Sequence, residues 1–263
     1  LLDQDGSYLK HLGYESKQYN ESGQLTWVHS ESYQYSADNV RLGHLSNSES
    51  FQYDETGALQ YRTVSKDEYD ADYNQLTSES SSFNAQDVLT SRQQSAWDKE
   101  TGIRTSNQEQ YFEDTGKVSS RSTETSKFTQ EGNHIGQLGY EWTQFNQSGQ
   151  VTSKHATVSL YDKNNSFLGQ TSTYEWFEYD NGNVLKTIHR SSSKYDSDWV
   201  EIAAESSRTT ADGALLYTST STFDTDSGTR TSLAKTFDKD SGNLTEQTES
   251  RYIQMWDEDG VFK

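Results

Sequence analysis

The residues best suited to chemistry are carboxylates set among aromatic rings and carboxylates paired in short turns. Glu175, Glu178 and Asp180 alternate with Trp176, Phe177 and Tyr179. Acids beside flat rings are a common way of gripping sugars, so Trp176, Tyr179 and Glu178 are the carbohydrate candidates. The competing use is the ordinary aromatic rim of a strand end. Asp3/Asp5, Asp224/Asp226, Asp238/Asp240 and Asp257/Glu258/Asp259 place paired oxygens in tight turns. Calcium takes about 6–8 oxygen ligands, so Asp224, Asp226, Asp238, Asp240, Asp257 and Asp259 are the metal candidates. None of these turns has the EF-hand spacing, and turn capping is the competing use. The expectation is of no cofactor, with calcium as the alternative.

Other chemistry lacks a local signature. His11, His29, His44, His134, His155 and His189 include no His-x-His or His-x-x-x-His pair. Neither a nucleophile elbow nor a phosphate-binding loop is present. Cysteine is 0, which excludes disulfides, thiolate metal sites and a thiol nucleophile. The reading is therefore of a chain without an enzyme site. A net charge of −19 argues against nucleic acid as a partner. No apolar run approaches the ~20 residues of a membrane-spanning helix.

These residues must be positioned by some element, and composition narrows which. Hydrophobic residues are only 30% of the 263, yet aromatics reach 13%, and proline is 0. Disordered chains are poor in aromatics and rich in proline, the reverse of this one. Thr, Tyr, Phe and Trp favour strands.

One phrase recurs along the chain: an aromatic, Asp or Asn, a few small polar residues, Gly, then an aliphatic. Examples are Tyr19-Asn20 with Gly23 and Leu25, Tyr53-Asp54 with Gly57 and Leu59, Phe145-Asn146 with Gly149 and Val151, and Tyr179-Asp180 with Gly182 and Leu185. With degenerate copies, the anchors fall at 3, 20, 36, 54, 70, 84, 98, 113, 130, 146, 162, 180, 196, 212, 224, 238 and 257. This spacing suits one strand plus one turn. In the turn, Gly takes a positive φ and Asp or Asn bonds back to the backbone. The flanking aromatic and aliphatic then face each other across a hairpin.

Parity within segments supports strands, since residues of equal parity share a face. Leu59 agrees with Tyr69 and Leu185 with Tyr195, whereas Leu76 and Phe83 disagree, which predicts a bulge there. Strand centres such as Ser78–Ser82 and Thr218–Thr222 are polar on both faces. The expected fold is all-β: a tandem-repeat antiparallel meander of about 16 strands, with two apolar rims and a hydrophilic waist. It is expected as one continuous array over 1–263, extended or coiled into a spiral or hollow barrel-like sheet.

Tyr53-Asp54-Glu55-Thr56-Gly57-Ala58-Leu59, followed by a strand and another Tyr-Asp, resembles the YD repeat of RHS-type proteins. Tyr179–Leu185 and Asp238–Leu244 are near matches. The resemblance covers almost the whole chain. It implies a spiralling β-sheet in a large secreted or surface protein, in some members a shell around a toxin and in others a cell-contact element. The chain departs from the family in having no Gly-Arg-Leu form and no proline for a closing core.

The resulting expectation is a non-enzymatic extracellular structural or adhesive segment of a secreted or cell-surface bacterial protein. Two alternatives accompany it: a carbohydrate-binding module or polysaccharide-acting enzyme using surface aromatics, and an RHS-like shell around a cargo. Expected partners are polysaccharide, other surface proteins, or further copies of the chain joined by strand addition near Leu1–Tyr8 and Arg251–Trp256. The start at Leu1-Leu2-Asp3 reads as a mature form or an excised fragment.

Overall fold

The computed structural model describes residues 11–253, and every regular element in that span is a strand. The chain clusters into two units, Leu1–Gly136 and Gln137–Lys263.

The first unit carries β1 (Gly13–Tyr19), β2 (Leu25–Tyr35), β3 (Arg41–Tyr53), β4 (Leu59–Asp70), β5 (Gln75–Asn84), β6 (Leu89–Asp98), β7 (Ile103–Tyr111) and β8 (Val118–Phe128). The second carries all but the first residues of β9 (His134–Phe145), then β10 (Val151–Tyr161), β11 (Phe167–Tyr179), β12 (Leu185–Tyr195), β13 (Glu201–Thr210), β14 (Leu215–Asp224), β15 (Thr229–Phe237) and β16 (Leu244–Ile253). Within each unit, consecutive strands pair antiparallel in chain order. Among the described residues, no pairing joins a unit's first strand to its last, so each sheet is an open meander.

The turns follow from the repeated phrase. At the 54–58 turn, the Gly57 amide donates to the Asp54 carbonyl at 3.0 Å, and the Asp54 amide donates to the Ala58 carbonyl at 2.9 Å. Asp54 Oδ1 accepts the amides of Thr56 and Ala58 at 2.8 and 2.9 Å. Gly57 holds φ at 86°. This is a type I turn followed by a left-handed residue, a common three-residue hairpin loop. Three anchors fall elsewhere than the sequence suggests: the turns open at Phe112, Thr129 and Thr210 rather than at 113, 130 and 212. At the last of these, the Thr210 hydroxyl accepts the Ala214 amide at 2.9 Å in place of a carboxylate. In the 180–184 turn, Asn183 takes the positive φ and Gly182 does not.

A bulge next to the turn is the rule. Tyr53 pairs with Leu59 and Gln52 with Tyr61, leaving Gln60 as the extra residue. The same slip leaves Leu76 extra after the 70–74 turn, where the sequence predicts a bulge. It also occurs where parity predicts none, for example after Tyr179, where Lys186 is extra. Such a bulge lets a turn with a left-handed residue join two twisted strands. The hairpins at 98–102 and 224–228 keep an unbroken register instead.

The sheets hold without a conventional core. Among the described residues no side chain is fully buried, and Trp97, at 7% exposed, is the only large apolar residue in the buried class. Cohesion comes from side chains that reach from one turn to the next turn on the same rim. Tyr53 and Tyr179 donate their hydroxyls to the carbonyls of Leu25 and Val151 at 2.9 and 2.7 Å. Gln24 and Gln150 donate to the carbonyls of Gly57 and Asn183, each at 2.8 Å. Arg104 and Arg230 donate to the carbonyls of Gln75 and Glu201 at 3.1 and 3.0 Å. Phe167 stacks on Trp199 at 4.7 Å, and buried His44 stacks on Tyr69 at 4.4 Å.

The first three pairs of clamps share a single offset of 126 residues. That offset extends through the sequence. It relates Gly13-Tyr14-Glu15 to Gly139-Tyr140-Glu141, His29 to His155, Gly43 to Gly169, Glu79 to Glu205, and Asp98 with Gly102 to Asp224 with Gly228. Between 11 and 127, about one residue in three is identical to the residue 126 places later, without a gap, the signature of an internal repeat. The two hairpins that lack a bulge are also equivalents. The chain is thus a tandem duplication of one eight-strand module.

Candidate binding face of the second unit

Hairpin register decides which side chains meet. In the second unit, Trp176 pairs with His189, His189 with Arg208, Arg208 with Tyr217 and Tyr217 with Thr236. Directly paired residues share a face, so these side chains form one lateral row across β11 to β15. Tyr174 lies two residues from Trp176 and therefore on the same face. It opens the neighbouring row, continued by Ser191, Ser206 and Ser219. A cleft of about 480 Å³ lies here, lined by Tyr174, His189, Arg208, Tyr217 and the Ser191 and Ser206 segments.

Trp176 and Tyr174 are 46% and 41% exposed, so both rings offer a free surface. The Trp176 and His189 ring centroids are 5.2 Å apart with planes tilted by 32°. Glu178 closes the rim end of the cluster. It accepts the Thr187 hydroxyl, and His189 Nε2 lies 3.4 Å from its Oε2. The Thr187 hydrogen bond, against a smaller opposing effect of burial and with help from His189, holds the Glu178 carboxyl below its usual range. Arg208 is exposed and, among the described residues, makes no hydrogen bond or salt bridge; the Glu178 carboxylate acts on it at longer range. Several other arginines are ion-paired, as in Arg190–Glu175 at 2.8 Å and Arg62–Glu49 at 3.0 Å, although Arg251 on β16 is not, among the described residues.

Of the three carbohydrate candidates, the structure brings Trp176 and Glu178 into this cluster. Tyr179 stands at the turn, with its hydroxyl committed to Val151. His189, Arg208 and Tyr217 escaped the sequence reading because they sit on three other strands, and Tyr174, on β11 itself, precedes the run of acids and rings that begins at Glu175. The waist of this face is consequently not purely hydrophilic, unlike the sequence expectation.

Of the calcium candidates within the described residues, Asp224 and Asp238 act as turn caps, while Asp226 and Asp240 contribute their backbone amides to those caps. Asp224 accepts the amides of Asp226 and Ser227 at 3.0 and 3.3 Å and the Ser227 hydroxyl at 2.7 Å. Asp238 accepts the amides of Asp240 and Ser241 at 3.2 and 2.8 Å and the Ser241 hydroxyl at 2.7 Å. Both carboxyls lie below their usual range, chiefly through the serine hydroxyl. Among the described residues, no three or more His, Asp or Glu side chains converge on a point that could hold a metal. Asp257 and Asp259 lie outside the described residues.

The opposite face carries a trough at equivalent positions in each unit. One runs over Lys154, Glu175, Arg190 and Glu205, the other over Val28, Glu49, Val64 and Glu79. Its repetition fits a property of the module, whereas the aromatic row belongs to the second unit alone.

No protein-family model matches the chain, and no curated protein matches it. Among solved structures, it is similar to a protein of unknown function from Bacteroides fragilis at 10% identity, covering 59% of this chain and 86% of that one, with a TM-score of 0.18. It is similar to TcdB2-TccC3 without its hypervariable C-terminal region at 11% identity and a TM-score of 0.17, over 95% of this chain and 21% of that one. A porin-like protein from Bacteroides uniformis matches at 8% identity and a TM-score of 0.17, over 87% of this chain and 96% of that one.

Proposed function

We propose that the chain is a structural and adhesive β-repeat segment of a secreted or cell-surface bacterial protein, built on a YD-like repeat. The observation that carries this reading is the way the sheet is held. Successive hairpins are tied turn to turn by Tyr, Gln and Arg side chains, with Trp97 the lone buried large apolar residue among those described. Such a lattice adds stability hairpin by hairpin and keeps both faces in water, where they can meet a surface. The charge of −19 opposes lateral association of sheet edges.

The test is display of the full chain on a bacterium that does not adhere by itself. The expected result is retention of the cells on polysaccharide-coated or cell-coated surfaces after washing, above cells displaying an unrelated protein. Failure of retention, or time-dependent release of soluble sugars by the purified chain, overturns the reading.

A further inference from the structure

The duplication supplies an internal control for the aromatic row. Tyr174, Trp176, His189, Arg208 and Tyr217 correspond, at the offset of 126, to Ser48, Ser50, Thr63, Ser82 and Ser91. The first unit's row has the same register: Ser50 pairs with Thr63, Thr63 with Ser82 and Ser82 with Ser91. There the hydroxyls satisfy one another, Ser48 with Ser65 at 2.6 Å and Thr63 with Ser82 at 3.1 Å. The module therefore folds with five small hydroxyl residues at these places. Three rings, an imidazole and a guanidinium in the second unit are not needed to build the sheet. The first unit does keep one ring on the row, Trp27, which stacks on His29 at 5.1 Å with planes 5° apart and so spends its face internally.

The chemistry of the replaced positions names a ligand class. The negative faces of Tyr174, Trp176 and Tyr217 suit the electropositive C–H face of a pyranose ring. The Arg208 guanidinium is exposed and makes no hydrogen bond or salt bridge among the described residues, with Glu178 acting on it only at longer range; such a group suits a carboxylate, which it can bind through two parallel hydrogen bonds. Ser191, Ser206 and Thr236 surround the row with hydroxyls able to bond sugar hydroxyls. Strands lie about 4.8 Å apart, so Trp176 and Tyr217, three strands apart, span roughly 14 Å, more than one sugar ring. The geometry points to a binding site for an acidic polysaccharide on this face of the second unit, with Arg208 taking a uronate carboxylate and Tyr174, Trp176 and Tyr217 stacking on the sugar rings. This rests on the adhesive reading and names what is adhered to.

The experiment is titration calorimetry of the full chain with a galacturonic acid oligomer, beside a neutral glucan oligomer of equal length. The uronate oligomer should bind at least tenfold more tightly than the glucan, through the local Arg208 contact and against the overall charge of −19. The test variants carry the first unit's residues: Arg208→Ser, Trp176→Ser and Tyr217→Ser. Each should lose at least tenfold in uronate affinity while its far-ultraviolet spectrum and melting temperature stay near wild type. Trp27→Ser in the first unit should leave affinity unchanged. Absence of uronate binding by the intact chain, equal binding of the glucan, or folded variants that bind like wild type would each overturn the site. If displayed cells still adhere when uronate binding is absent, the ligand assignment fails and the adhesive reading stands; if uronate binds but displayed cells do not adhere, the reverse holds.

Discussion

The Tyr179 hydroxyl, at the end of β11, donates to the Val151 carbonyl at the start of the neighbouring strand β10, at 2.7 Å and just beyond the last paired residues of the two strands. Tyr53 and Leu25 do the same at 2.9 Å one module earlier. The contact joins two turns on one rim, so each hairpin is anchored to the hairpin before last as well as to its neighbour. A single layer gains in this way some of the cooperativity that a buried core would otherwise provide.

Tyr53→Phe and Tyr179→Phe keep the ring and remove only that hydrogen bond. Each should cost about 1 kcal/mol. The double variant should cost the sum, because the two contacts lie in different units. Urea unfolding followed by far-ultraviolet circular dichroism measures this; a cost near zero in both would show that the clamps do not contribute.

Acid should weaken the fold through its turns. Asp54, Asp98, Asp180, Asp224 and Asp238 lie below their ordinary values because hydroxyls and turn amides donate to them. At Asp70, burial raises the value, but hydrogen bonds from Lys99 and Asn74 outweigh it and bring it to about 2. A carboxyl with a depressed folded pKa stabilises the protein fully above its unfolded pKa. That contribution is lost as pH falls through the folded pKa. Melting temperature should therefore be flat near neutrality and decline below about pH 4, continuing toward pH 2. Asp70→Asn should make the lowest part of that decline shallower. A melting temperature unchanged between pH 5 and pH 2 would contradict the turn-capping account.

Two glycines of the second unit should respond differently to a methyl group. A Cβ at Gly169 would press into the Tyr195 carbonyl oxygen, and its φ of +144° is strained for any L side chain. A Cβ at Gly139 would meet only the Thr157 carbonyl oxygen, at 3.4 Å. Gly169→Ala should cost about 1–3 kcal/mol and Gly139→Ala under about 1 kcal/mol. Thermal melts of the two variants decide the matter, and an equal response would refute the close-approach argument.

Arg104 and Arg230 are equivalents with unequal duties. Both donate to a carbonyl, but Arg230 also holds the Glu201 carboxylate at 2.8 Å. Arg230→Ala should destabilise more than Arg104→Ala, by up to about 1 kcal/mol for a partly exposed pair. Lysine should restore little at position 230, because a single ammonium cannot serve carbonyl and carboxylate as the forked guanidinium does. Chemical denaturation of the three variants tests the order.

The sequence alone determined the strands, the turns and their order. A turn phrase acts over five or six neighbouring residues, and strand propensity acts within each segment, so both are written locally. Asp54 with Gly57 is legible in this way, and so is the absence of a greasy centre. Parity was a weaker guide, because a bulged residue such as Gln60 or Lys186 slips the pairing beside the turn. Trp176 and Glu178 were legible as candidates because they are neighbours in the chain. Their meeting with His189, Arg208 and Tyr217 was decided only by the tertiary structure. Those residues lie on successive strands, and only hairpin register fixes which of them face one another. The meaning of that row also emerged only by laying one module on the other, since a tryptophan shows itself as dispensable to the fold only where its structural twin is a serine.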